Sequence, residues 1–258
     1  MRTVVLLGNL QIQRYLCILV VAVLFLPMLV RPALAQSAQV TIPVLTKPLT
    51  LDGKWTSSDE WSDAVEITTP GGFFRLKQNQ TYLYVLFDYV NCKTLVNYDV
   101  AWVYVDTRLN GGASPQPDDY AFSFQWSSPT QSTLVTQAGT GSGWASASVP
   151  KFAAASSTDS TNDPYSSSPH VIYEFQIPLS IIPQGRTYVA IRLAMQDGSR
   201  GTWMVYPKNS FRSSPSQWGT MQLGSLPIPE FPAILPALAL GLILPLYLLR
   251  KEKRNKDA

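Results

Sequence analysis

Cysteine, histidine and glutamate are scarce in this 258-residue chain, and each scarcity removes a class of chemistry. Of the two cysteines, Cys17 lies in an N-terminal apolar run, so the rest of the chain keeps only Cys92 and forms no internal disulfide. Its core must be held by burial alone. The one histidine, His170, excludes multi-histidine zinc sites and leaves little room for a Ser-His-Asp arrangement; a lone histidine reads as a surface residue. Glu60, Glu66 and Glu174 are the only glutamates between the two chain ends, and no spacing pairs them for glycoside hydrolysis. The chain reads as a non-enzyme.

Positive charge is missing from the middle of the chain. The formal net charge is +3, but the first 35 residues carry +3 and the last nine carry another +3, leaving −3 between them. The basic excess belongs to targeting segments, so nucleic-acid binding is disfavoured.

Those ends are the clearest motifs present. Arg2 and Arg14, the uncharged run Tyr15 to Val30 and then Pro32-Ala33-Leu34-Ala35 make a signal peptide over residues 1–35, cut after Ala35. Ala233 to Leu249 is an uncharged stretch of 17 residues, long enough to cross a hydrocarbon core, followed by Arg250, Lys251, Lys253, Arg254 and Lys256. The positive-inside rule puts the tail, 250–258, in the cytoplasm. Residues 36–226 are then one extracellular domain held at the cell membrane by a single transmembrane helix, 233–249, through a linker, 227–232. In that linker Pro229, Glu230 and Phe231, with the apolar run and basic cluster behind them, resemble the Pro-Glu-Phe sorting signals processed by archaeal archaeosortases. The resemblance implies an archaeal surface protein whose helix is exchanged for a lipid.

Between Gln36 and Leu226 helix-period segments are also missing, and period-2 segments bounded by Gly, Pro, Asn, Asp or Ser recur. The clearest is Tyr120 to Trp126, with Tyr120, Phe122, Phe124 and Trp126 on one face. Tyr82 to Val90, Val100 to Asp106, Val171 to Ile177, Tyr188 to Met195 and Thr202 to Tyr206 follow, with weaker candidates at Gln39 to Val44, Phe73 to Lys77 and Met221 to Leu223. The pattern predicts an all-β domain, a single two-sheet antiparallel β-sandwich of jelly-roll or immunoglobulin-like type. Asn110 to Asp119 and Ser127 to Pro169 read as long surface connections, the second hiding a strand within Trp144 to Phe152.

Several local signatures occur in an order similar to that of family 9 carbohydrate-binding modules and the DOMON-like superfamily around them. They are Leu51-Asp52-Gly53-Lys54-Trp55, Asp59-Glu60-Trp61-Ser62-Asp63-Ala64, Tyr82-Leu83-Tyr84-Val85, Val103-Tyr104-Val105-Asp106, Tyr173 to Leu179 and Ser216-Gln217-Trp218-Gly219. Physical chemistry gives most of these a scaffold role: Asp52-Gly53 is a turn, Trp61 and Trp218 are apolar anchors, and Pro178 ends a strand. The resemblance implies a glycan or cell-envelope polysaccharide partner. It also implies calcium at Asp106, Asn110, Asp118 and Asp119, whose hard oxygens suit that ion. Some members of the superfamily bind haem through Met and His, but His170 with Met195, Met204 or Met221 reads as a surface residue and core fillers, so no haem is expected.

Sugar recognition needs flat apolar faces beside planar hydrogen-bonding groups. Among Trp102, Trp126, Trp144 and Trp203, Trp144 stands in a Gly/Ser-rich run and Trp203 follows the polar loop that carries Arg200. Trp144 and Trp203 lead the ligand-binding candidates, Trp126 is third, and Arg200 is a polar partner. Asn79-Gln80-Thr81 is an N-glycosylation sequon. The reading is a surface-anchored binding module; the alternatives are a structural or adhesive envelope protein without a sugar site and a haem-binding redox domain.

Overall fold

The computed structural model describes residues 40–128 and 131–225. The signal peptide, Pro229, Glu230 and Phe231, the apolar run and the basic tail lie outside them. Among the described residues no helix is long and apolar enough to cross a membrane.

Two sheets form the sandwich. The larger runs in the order β1 (Val40–Ile42), β13 (Gly219–Leu223), β11 (Tyr188–Asp197), β5 (Val100–Asp106), β6 (Asp119–Ser128), β7 (Gln131–Gly139) and β8 (Trp144–Ser146), and β12 (Thr202–Tyr206) also pairs with β11. The smaller runs β2 (Val65–Thr69), β3 (Gly72–Gln78), β4 (Tyr82–Tyr89), β10 (His170–Pro178) and β9 (Ala153–Asp159). All pairings between these strands are antiparallel except β1 with β13, which is parallel and corrects the fully antiparallel expectation.

The alternating segments become strands because each has one face to bury. Phe74 and Leu76 of β3, Val85 and Phe87 of β4, Val103 and Val105 of β5, Phe122 and Phe124 of β6, and Ile191 and Leu193 of β11 meet in one core between the sheets. Cys92 is buried there, and desolvation pushes its thiol up to about 12, consistent with an inert core residue.

Ser127 to Pro169 is not one long connection. It supplies the end of β6 and the whole of β7, β8 and β9. β7 is largely solvent-exposed and β9 is built from Ala, Ser and Thr, so neither carries an apolar alternation strong enough to announce a strand. The small residues of β9 have a packing reason: the Asp52-Gly53 turn lies directly on this strand, and Ser157 Oγ donates to the Gly53 carbonyl at 2.7 Å.

Candidate functional site on the outer face of the larger sheet

Alternation along β5 sends Val103 and Val105 into the core, so Trp102 and Tyr104 project from the opposite side of the larger sheet. Ladder register carries that outer face across three strands. Tyr104, Trp102 and Val100 stand opposite Arg192, Ala194 and Gln196 of β11, while Ala194 and Gln196 stand opposite Val205 and Trp203 of β12. Trp102 and Val205 are therefore two strand spacings apart, roughly 10 Å, with only the Ala194 methyl group between them. Trp203 is 49% exposed at the rim of this depression.

Two loops complete the rim. The β11–β12 turn packs Gly198 against the backbone of Asn97 and Tyr98, where a Cβ would stand 2.9 Å from the Asn97 carbonyl, and Asp99 Oδ1 accepts the Gly198 N–H at 2.6 Å. Tyr98, with φ of 79°, is left 67% exposed. The segment between β12 and β13 crosses the same face. Arg192 Nε donates to the Ser210 carbonyl at 3.1 Å, Trp218 Nε1 donates to the Phe211 carbonyl at 3.1 Å, and the Arg212 guanidinium lies 5.8 Å from the centre of the Trp102 ring. Phe211 is 64% exposed and, with Trp203 and Asn209, lines a cavity of about 620 Å³ that reaches the β2–β3 turn at Pro70. Exposed aromatic rings thus stand beside Arg212, Gln196 and Asn209.

The sequence candidates divide. Trp203 is on this rim. Trp144 reaches the same outer face from β8, where it stacks on Trp218 at 6.3 Å and 6° and tilts against Tyr104 at 5.7 Å; it belongs to a small aromatic cluster beside the depression. Its indole N–H is buried without a hydrogen-bond partner among the described residues. Trp126 packs against the main core from the inner face, because it shares the strand parity of Phe122 and Phe124. Arg200 donates to the Asn91 carbonyl at 3.0 Å at the sheet end. Sequence reasoning missed Tyr98 and Phe211, although Phe211 has the same signal as Trp144, an aromatic ring alone in a polar run.

Asp106, Asp118 and Asp119 come together, with one oxygen of each within 4.8 Å of the others. Asp106 organises the loop by accepting backbone N–H groups of Arg108, Leu109 and Gly111 at 2.6–3.0 Å. Asn110 Nδ2 donates to Asp118 Oδ1 at 3.3 Å. Asp118 Oδ2 and Asp119 Oδ1 are buried without partners among the described residues, and burial, with the two neighbouring carboxylates, pushes Asp119 up to about 7. Orphaned carboxylate oxygens in a cluster are what a hard cation satisfies.

Two sequence expectations need correction. His170 is fully buried, not a surface residue, and it does not meet Met195, Met204 or Met221, which pack in the core between the sheets. Glu60 and Glu174 do come into each other's electrostatic range beneath the loop that carries Trp55 and Trp61. Both are engaged there: Glu174 accepts the N–H groups of Asp52, Gly53 and Trp61, and Glu60 those of Thr50 and Thr56. Asn79 is exposed, its Oδ1 accepting the N–H groups of Thr81 and Tyr82 in the β3–β4 turn.

No family model matches the sequence, and neither does any curated protein. Among solved structures, a family 9 carbohydrate-binding module from Caldicellulosiruptor kristjanssonii in complex with glucose superposes with a TM-score of 0.50 at 17% identity, covering 74% of this chain and 100% of that one. The fold is that of a family 9 carbohydrate-binding module. A family 9 module from the same organism in complex with cellotriose gives a TM-score of 0.47 at 16% identity over 73% of this chain and 98% of that one.

Proposed function

We propose that the protein is a non-catalytic glycan-binding module displayed at the cell surface, and that the depression between Trp102 and Trp203 is its binding site. The observation that carries this reading is the exposure of Trp203 and Phe211 on the lining of one cavity of about 620 Å³, with Tyr98 also exposed on the loop packed against the β11–β12 turn. Exposed aromatic rings are costly to leave in water and match the apolar C–H face of a pyranose. Arg212, Gln196 and Asn209 supply hydrogen bonds to hydroxyl groups. The family 9 module in complex with glucose adds support from fold alone.

Calcium belongs to the same proposal, held by Asp106, Asp118 and Asp119 with Asn110 alongside, where it would fix the β5–β6 loop. Export and anchoring follow from the two chain ends, with a helix or an exchanged lipid as the membrane partner.

The test is retention on immobilised polysaccharides and a glycan array, with and without calcium. Binding should weaken about tenfold or more in Trp203→Ala and Phe211→Ala. Both variants should keep wild-type stability within about 0.5 kcal/mol, because the rings are exposed. Absence of any glycan ligand under both conditions refutes the reading and favours an adhesive envelope role.

A further inference from the structure

A second polar cluster lies on the opposite side of the molecule, beneath the loops that cover the smaller sheet. His170 begins β10, and Asp88 on the neighbouring β4 is opposite Ile172, two residues further along. The β9–β10 connection folds Asp163 over this pair, and all three side chains are fully buried. His170 Nε2 is 2.6 Å from Asp88 Oδ1 and 3.5 Å from Asp163 Oδ2.

Each of the three groups is oriented by a further partner. His170 Nδ1 is 2.9 Å from the Ser168 carbonyl, an acceptor only, so the Nδ1 proton donates there; Nε2–H donates to Asp88 Oδ1, and a metal ion would take the place of that proton on Nε2. Asp88 Oδ2 accepts the Trp55 indole N–H at 3.2 Å, and Asp163 Oδ1 accepts the Tyr165 N–H at 2.8 Å. This is how metal-ligating imidazoles and carboxylates are held by the groups behind them. Asp163 Oδ2 is aimed into the cluster, yet among the described residues it has no hydrogen-bond partner, an omission that costs about 1–3 kcal/mol or more for a charged group.

We propose that Asp88, Asp163 and His170 form a binding site for a divalent transition-metal ion, with zinc as its simplest occupant. One imidazole and two carboxylates suit zinc or a neighbouring first-row metal, whereas calcium takes an all-oxygen shell. Zinc with ligands at about 2.0–2.1 Å keeps them roughly 3.3–3.5 Å apart. Asp163 and His170 already meet that spacing, and Asp88 must withdraw by about 1 Å or less. The ion's charge neutralises both carboxylates, and it joins the β9–β10 loop to β4 and β10. Asn162 of that loop also donates to the Thr56 carbonyl at 2.9 Å, so the ion clamps the Trp55 turn through the same loop.

The experiment uses the full-length chain in detergent, stripped with EDTA, then titrated with Co²⁺ by visible absorption and with Zn²⁺ by calorimetry. The expected result is one zinc per chain and a Co²⁺ d–d spectrum that zinc abolishes. Affinity should fall by at least about 100-fold in His170→Gln and Asp163→Asn. Asp163→Asn alters a loop residue, and circular dichroism verifies its fold. Failure of the folded wild type to bind either ion, or unchanged affinity in both variants, overturns the proposal and leaves a buried imidazolium paired with two carboxylates.

Discussion

The Trp61 indole N–H donates to Glu174 Oε1 at 3.0 Å, joining residues 113 positions apart. With the Asp52 and Gly53 N–H groups on Oε2, this carboxylate takes three donors and fastens the Thr50–Trp61 loop over the smaller sheet. Glu174→Gln keeps one acceptor oxygen and introduces two donors among donors already present. It should lower stability by about 1–3 kcal/mol in urea denaturation. Trp61→Phe removes one donor and leaves the carboxylate its other two, so its cost should be smaller, about 1–2 kcal/mol.

The same carboxyl sets a pH dependence. Burial, helped by the nearby Glu60 charge, pushes Glu174 up to about 8, against the lowering effect of its N–H donors. The folded value lies above the unfolded value of about 4.3, so folding takes up a proton between them. This contribution is fully present below about pH 4.3 and is lost as pH rises through about 8. Thermal melts between about pH 5 and pH 9 should show a decline in Tm that is shallower in Glu174→Gln.

Gly53 has φ of +79°, and a Cβ there would stand 2.6 Å from the Ser156 backbone. Gly185 has φ of +81° with nothing within 4 Å of its Cβ position. Gly185→Ala should cost about 1 kcal/mol, from conformation alone. Gly53→Ala should cost at least about 3 kcal/mol, because the turn must also lift from β9. Parallel denaturation curves separate the two effects.

Calcium binding by the β5–β6 loop should raise Tm, with about 2.7 kcal/mol gained at one hundred times Kd. EDTA should reverse the gain. Asp119→Asn should abolish it, since Asp119 Oδ1 is one of the two orphaned oxygens. Differential scanning calorimetry with and without the ion measures this directly.

Much of the fold is legible in local pattern. The Val100 to Asp106 and Thr202 to Tyr206 segments are strands with those bounds, because aromatic and β-branched residues alternate there between two turn-rich boundaries. β7 and β9 are not legible, because a strand half open to solvent and a strand of small residues bury too little apolar surface to show a period. The site is less legible still. Trp126 and Trp203 both stand on alternating strands, but the packing of the sheets places one against the core and the other at the rim of an open depression.

The amino-acid sequence by itself determined the all-β character of the domain, its turns, its dependence on burial without a disulfide, and the acidic balance between two basic ends. Those are composition and near-neighbour properties, set by side-chain volume, charge and backbone preference within a few residues. Tertiary structure alone decided that Glu174 binds the Trp61 loop, that Asp88, Asp163 and His170 meet in the interior, and that Trp203 and Phe211 share a cavity. Each of these depends on strand register and on where loops cross a sheet, and both are settled by cooperative packing of segments distant along the chain.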